Sequence, residues 1–67
     1  MTKLFFKEYG MIIKEIDNAQ VIPDNEDRIS IYENGKKSFF RVDDRTFTYM
    51  ECGLRIDVYL TRISTED

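Results

Sequence analysis

The chain contains no histidine and no tryptophan, and it has a single cysteine, Cys52, and a single proline, Pro23. Without histidine it lacks the commonest general base, a frequent metal ligand and the side chain that titrates near neutral pH. Cys52 therefore has no histidine to activate it as a nucleophile, and a lone cysteine cannot form a disulfide within the chain. These absences predict a protein that is not an enzyme and that binds neither a metal nor a cofactor.

Glycine and long apolar runs are also scarce. The three glycines stand singly, at Gly10, Gly35 and Gly53, so a glycine-rich phosphate-binding loop is missing. No apolar run has the length of a membrane span or the pattern of a secretory signal. One unpaired cysteine is typical of a reducing compartment. We therefore expect a cytoplasmic protein that does not associate with membranes.

The length of 67 residues, without repeats or linkers, predicts one domain over residues 1–67. The polar residues 64–67 at its end are expected to form a frayed tail. A chain this short buries only about 60 % of the surface that its unfolded state exposes. Because it has no disulfide to compensate, a homodimer or a larger homo-oligomer is an expectation.

A strong turn signal, Asn34-Gly35, separates two runs rich in β-branched and aromatic residues. Both residues tolerate positive φ, and the pair suits a two-residue turn that matches the twist of the flanking strands. The turn sets the register: Glu33 lies opposite Lys36 and, four residues further from the turn on each side, Ile29 lies opposite Phe40, so apolar side chains meet. This pattern predicts a β-hairpin.

A second turn is predicted at Asp43-Asp44. A loop with an even residue count places Phe40 opposite Phe47 and Ser38 opposite Tyr49. A slip of one residue would turn every side chain to the other face, so the even loop is favoured.

A third turn is predicted at Cys52-Gly53, where glycine again supplies conformational freedom. With a two-residue loop, Tyr49 lies opposite Ile56 and Phe47 opposite Val58. Cysteine is a poor residue for positive φ, so a slightly longer loop is the alternative at this turn.

The three turns agree on one apolar face, and agreement between independent signals supports the assignment. They predict a mainly β protein, a small antiparallel meander of about four to six strands forming a twisted sheet or small barrel, with residues 28–62 joined by three hairpins. The residues expected to be buried are Ile29, Ile31, Phe40, Val42, Phe47, Tyr49, Leu54, Ile56, Val58 and Leu60.

The first third of the chain is apolar but fits neither period cleanly. A helix over about residues 3–17, packed on the sheet in an α+β fold, is the alternative, although Gly10 inside it would cost about 1 kcal/mol. The β-branched and aromatic content favours strands, with Gly10 at a bend. A turn at Asp17-Asn18, a short strand over Ala19–Ile22 and an exposed loop over Pro23–Asp27 are expected to follow.

The net charge is −3 and the sequence pI is about 4.8. Clustered carboxylates suit a basic partner surface, as a mimic of nucleic-acid phosphates would. A simpler interpretation of the acidic residues is a solvated loop without a partner. A third interpretation is a Ca²⁺ or Mg²⁺ site, but the calcium-loop sequence pattern is absent. We predict a non-enzymatic protein-interaction or inhibitor module whose acidic surface engages a basic, nucleic-acid-handling protein. The predicted contact residues are Asp17, Asp24, Glu26, Asp27, Asp43 and Asp44.

The other face of the predicted sheet supports an alternative function, a single-stranded nucleic-acid-binding module. Aromatic platforms between basic side chains stack bases and hold the phosphate backbone. The net negative charge argues against nucleic-acid binding, because it repels phosphates. A third interpretation is that the first sixteen residues of the chain cover these aromatic side chains. The residues of this alternative site are Tyr32, Lys37, Phe39, Arg41, Arg55 and Tyr59.

Overall fold

The computed structural model describes residues 1–65 and folds them into a single five-stranded sheet. The strand order is β2-β1-β5-β4-β3; neighbours are antiparallel except β1 and β5, which run parallel. This confirms the mainly β prediction. Residues 1–65 contain no helix, and so none that is long and apolar enough to cross a membrane. The strands are β1 (Thr2–Glu8), β2 (Met11–Asp17), β3 (Arg28–Glu33), β4 (Lys36–Met50) and β5 (Gly53–Thr65).

The first third of the chain forms the hairpin β1–β2, so the strand prediction is confirmed and the helix over residues 3–17 is wrong. Tyr9 and Gly10 make the turn at positive φ, 52° and 77°. β1 then lies along β5 and buries Leu4 and Phe6 in the core. The segment thus extends the sheet sideways. One interpretation of the sequence had it cover the other face of the sheet, and it does not do so.

The hairpin β3–β4 has the predicted register. Asn34 and Gly35 form the turn with φ of 51° and 79°. Glu33 pairs with Lys36, and the pairing continues in step to Arg28 and Arg41.

No turn occurs at Asp43-Asp44, and this prediction is wrong. β4 continues through both residues, and its pairing with β5 instead has a bulge between Val42 and Asp44. A bulge places one extra residue in a strand and bends it, so polar residues that resemble a turn in sequence are accommodated without reversing the chain. The pairings of Phe40 with Phe47 and of Ser38 with Tyr49 are therefore absent, and residues 28–62 lie in three strands.

The last turn consists of Glu51 and Cys52, one residue earlier than predicted. Tyr49 accordingly pairs with Leu54, where Ile56 was predicted, and Phe47 pairs with Ile56, where Val58 was predicted. The shift is by two residues, so each side chain keeps its predicted face.

The core occupies one face of the sheet, called here the inner face. Its buried apolar residues are Leu4, Phe6, Ile31, Phe40, Val42, Ile56, Val58 and Leu60. Residues 18–27 cross from β2 to β3, and Ala19 and Ile22 pack against this core from an irregular segment, not from the predicted short strand. Residues 24–27 are exposed, as predicted for the loop.

Two residues that were expected in the core are exposed. Phe47 shares a face with buried Ile56 but is 40 % exposed, and Tyr49 is 81 % exposed. The pairing between β3 and β4 ends at Arg41, so within residues 1–65 no strand pairs with the second half of β4 on that side. Residues 64 and 65, expected in a frayed tail, belong to β5, while residues 66 and 67 lie outside the described part of the chain.

Candidate functional site

Five of the six predicted acidic contact residues lie on two segments that hydrogen bond to each other at the bulge of β4. The backbone N–H of Glu26 donates to the carbonyl of Val42 over 2.7 Å, and the N–H of Val42 donates to the carbonyl of Asp27 over 2.8 Å. These two bonds place the exposed loop directly beside the bulge. The acidic cluster consists of Asp24, Glu26, Asp27, Asp43 and Asp44.

The turn within the loop is held by its own carboxylates. Asp27 Oδ2 accepts a hydrogen bond from the backbone N–H of Asp24 over 2.8 Å. Glu26 has a positive φ of 71°, which lets the chain reverse before it reaches β3. The local sequence therefore fixes where the acidic side chains stand.

Two arginines neutralise part of the cluster. Arg45 contacts Asp24 Oδ1 at 3.1 Å and also donates to the carbonyl of Pro23 over 3.2 Å. Arg41 contacts Asp43 at 3.2 Å. The five carboxylates thus outnumber the arginines bound to them, and the cluster keeps a net negative charge.

Asp43 is stabilised as an anion by its position on the bulge. The hydroxyl of Thr61 on β5 donates to Asp43 Oδ2, and Arg41 donates to Oδ1. The hydrogen bond from the Thr61 hydroxyl lowers the pKa of Asp43 most. Burial opposes it, but Arg41 lowers the pKa further, and the net pKa lies below its ordinary value. The carboxylate remains charged under ordinary conditions.

Asp17 does not belong to this cluster. It ends β2, at the opposite edge of the sheet, and lies 3.8 Å from Lys3 Nζ. Lys3 also contacts Glu15 at 3.1 Å. Within residues 1–65, no group of three or more potential ligands is arranged to hold a metal ion.

Four residues of the alternative nucleic-acid site lie together on the outer face, the face opposite the core. Lys37 Nζ lies 6.0 Å from the ring centre of Tyr32 and 5.4 Å from that of Phe39. Arg41 follows on the same strand but is paired with Asp43. These residues form the aromatic patch: Tyr32, Lys37, Phe39 and Arg41.

The other two residues of that alternative, Arg55 and Tyr59, lie in a separate group around Asp57. This carboxylate is buried and contacts Arg55 and Lys7 at 3.1 Å each. Burial raises the pKa of Asp57, but the hydrogen bonds and charges of Arg55 and Lys7 together outweigh it and lower the pKa. Asp44 pairs with Tyr59, so the acidic bulge separates this group from the aromatic patch.

A second, partly buried ionic group was not predicted from the sequence. Arg62 makes a two-pronged contact with Glu8, at 2.9 and 3.0 Å, and donates to Ser38 Oγ over 2.9 Å. Its guanidinium lies 4.8 Å from the ring centre of Phe40. Arg62 sits on the inner face through its pairing with Phe40, and only the register of β4 and β5 could have indicated this.

A cavity of about 440 Å³ adjoins the turn between β4 and β5. Its cationic residues are Lys3 and Arg55, which are paired with Glu15 and Asp57. An anionic ligand in this cavity would compete with those ion pairs. The lining residues are Met1, Lys3, Phe5, Met50, Cys52, Gly53, Leu54 and Arg55.

Comparison of the chain with protein-family models, with curated proteins and with solved structures finds no match.

Proposed function

We propose that this chain acts without catalysis, as a protein-interaction module that binds a second protein through the acidic cluster. The partner offers a basic surface, such as the nucleic-acid-binding groove of a nucleic-acid-handling protein, and binding blocks that surface. The observation that supports this proposal is the pair of backbone hydrogen bonds on Val42, which joins the loop carboxylates to those of the bulge.

Charge is the physical basis of the interaction. The cluster concentrates negative charge on a protein whose net charge is already −3. Such a surface attracts a positively charged partner over long range and repels nucleic acid. Asp43 and Asp44 lie on β4, and the hydrogen bonds of Val42 fix the loop with Asp24, Glu26 and Asp27 beside them, which limits the entropy that binding must cost.

The test is capture of proteins from a native cell lysate with the tagged chain, read by quantitative mass spectrometry. The variant E26Q/D27N/D44N removes three charges of the cluster and keeps side-chain oxygens that accept hydrogen bonds. We expect it to reduce recovery of the partner at least tenfold, because charge complementarity sets the association.

The matched control is E15Q/D17N/E51Q, which makes the same change in net charge outside the cluster. Equal recovery by the two variants would show that the cluster is not the binding surface.

A single-stranded nucleic-acid-binding module is the second candidate, favoured by the position of Lys37 between two aromatic rings on the aromatic patch. Base stacking on such rings tolerates any sequence. Repeating the capture after nuclease treatment separates the two functions. Recovery that disappears with nuclease would assign the role to the aromatic patch.

A further inference from the structure

The second half of β4 is an edge strand with an unusual composition. Residues 46–50 are all exposed, and Phe47, Tyr49 and Met50 are 40 %, 81 % and 53 % exposed. β5 lies on one side; within residues 1–65 no strand pairs with the other side. Edges of this kind pair readily with another strand unless charge, proline or a bulge prevents it.

The backbone of this edge has free hydrogen-bonding groups. Met50 and Gly53 close a two-residue turn, and such a closing pair exchanges its hydrogen bonds across the hairpin. Because the direction of bonding alternates along a strand, the N–H and C=O groups of Phe47 and Tyr49 point away from β5. The backbone N–H and C=O groups of Arg45 also point away from β5, but this N–H already donates to the carboxylate of Asp44 over 2.8 Å.

The side chains along this edge complement themselves. The segment from Thr46 to Met50 reads Thr-Phe-Thr-Tyr-Met, and an antiparallel copy centred on Thr48 sets Phe47 against Tyr49 and Thr46 against Met50. The pair of aromatic rings is a favourable cross-strand contact. The symmetry repeats each pair twice and brings the two Thr48 residues together.

Neighbouring registers fit less well. Centred on Phe47, the copy would place Tyr49 against Arg45, whose outward N–H is already bound by the carboxylate of Asp44. Centred on Tyr49, it would overlap only over residues 48–50, because Glu51 belongs to the turn. Centred on Thr46, it would reach Val42, whose backbone groups are already bonded to Glu26 and Asp27. The register centred on Thr48 avoids these problems.

We propose that the edge from Thr46 to Met50 pairs with the same edge of a second copy of this chain, forming a two-fold symmetric dimer with one continuous sheet. This inference does not depend on the proposed function. The exposed aromatic residues and the free backbone groups of the second half of β4 are then buried between the two copies.

The first test places a cysteine on the proposed axis. In T48C/C52S, the two new cysteines face each other as a non-hydrogen-bonded pair, with Cα atoms about 4.5 Å apart. This lies in the range for a disulfide. We expect a covalent dimer on mild oxidation, seen on a non-reducing gel.

The matched control is T46C/C52S. In the proposed register its two cysteines lie about 14 Å apart, four residues out of step along the strand. Cross-linking of T46C/C52S in preference to T48C/C52S, or of neither, would overturn the proposal.

The second test is sedimentation of the unmodified chain and of two proline variants, from micromolar to millimolar concentration. The wild type is expected to reach twice the chain mass of 8.0 kDa. Y49P removes an outward N–H and an aromatic pair, and should raise the dimer dissociation constant at least tenfold.

Y32P is the control, since Tyr32 is an exposed tyrosine whose N–H also points outward, on the edge strand β3. It should leave the dimer intact. A monomeric wild type, or equal effects of the two prolines, contradicts the proposal; circular dichroism checks that each variant is folded.

Discussion

Arg62 joins four strands through one side chain. From β5 it contacts Glu8 on β1, Glu33 on β3 and Ser38 on β4. Glu8 is partly buried, so its carboxylate loses part of its hydration, and Arg62 supplies the compensating charge. The sheet therefore depends on a polar group at the end of its apolar core.

Replacing Arg62 by methionine should lower the free energy of unfolding, because it leaves Glu8 without its cation and the buried Ser38 hydroxyl without the Arg62 donor. Urea unfolding measures the loss. R28M is the control, since Arg28 is exposed and forms no salt bridge within residues 1–65. A loss in R62M no larger than that in R28M would mean that the ion pairs do not stabilise the fold.

At the scale of single residues, the acidic site was partly predictable. Asp24, Glu26 and Asp27 are close in the sequence, and their shared exposure followed from the loop composition. Their contact with Asp43 depends on the hydrogen bonds of Val42, which join segments that are distant along the chain. Sequence patterns carry no direct signal for such a contact.

At the scale of strands, Gly53 explains why the last turn lies one residue earlier than predicted. A Cβ atom at Gly53 would collide with the backbone of Met1, whose carbonyl accepts a hydrogen bond from the N–H of Leu54 over 2.9 Å. The glycine is thus required by the neighbouring strand and not by the turn.

G53A should therefore destabilise the protein by about 3 kcal/mol, because both the positive φ and the collision with Met1 must be relieved. G35A is the matched change, since Gly35 also has positive φ but open space around it. It should cost about 1 kcal/mol from the backbone alone. Urea unfolding of both variants compares them; equal losses would show that the approach of β1 does not matter.

The hairpin at Asn34-Gly35 was predicted to the residue because the turn chemistry and both strands agree locally. Asp43-Asp44 was misread as a turn because exposed carboxylates are equally suited to a bulge. Phe47 and Tyr49 were assigned to the core by alternation alone. Alternation gives the face of a strand, but burial also requires a covering layer, which the second half of β4 lacks within one chain.

At the scale of the whole molecule, three carboxylates couple stability to pH. Glu8, Asp43 and Asp57 each have a lowered pKa in the folded chain. For Glu8 the hydrogen bonds of Arg62 are the main cause. A group with a lowered pKa binds fewer protons when folded, so its stabilisation is complete above its unfolded pKa and is lost as the pH falls.

We expect the free energy of unfolding to be constant above about pH 5.5 and to fall as the pH drops below the ordinary pKa values of Asp and Glu. Urea unfolding between pH 3 and pH 7 measures this. E8Q should flatten the decline, whereas E26Q, at an exposed loop position, should not. An unchanged slope in E8Q would remove Glu8 from the coupling.

The parallel pairing of β1 with β5 also sets when this fold can form in the cell. Leu4 lies beside Ile56, and Phe6 beside Val58. During translation at about 5–20 residues per second, Leu4 is made about 3–10 s before Ile56. For that interval the growing chain has β1 but not β5, so the apolar residues of β1 are exposed and nascent chains are a target for chaperones. Premature termination before β5 would leave a product that cannot close its core.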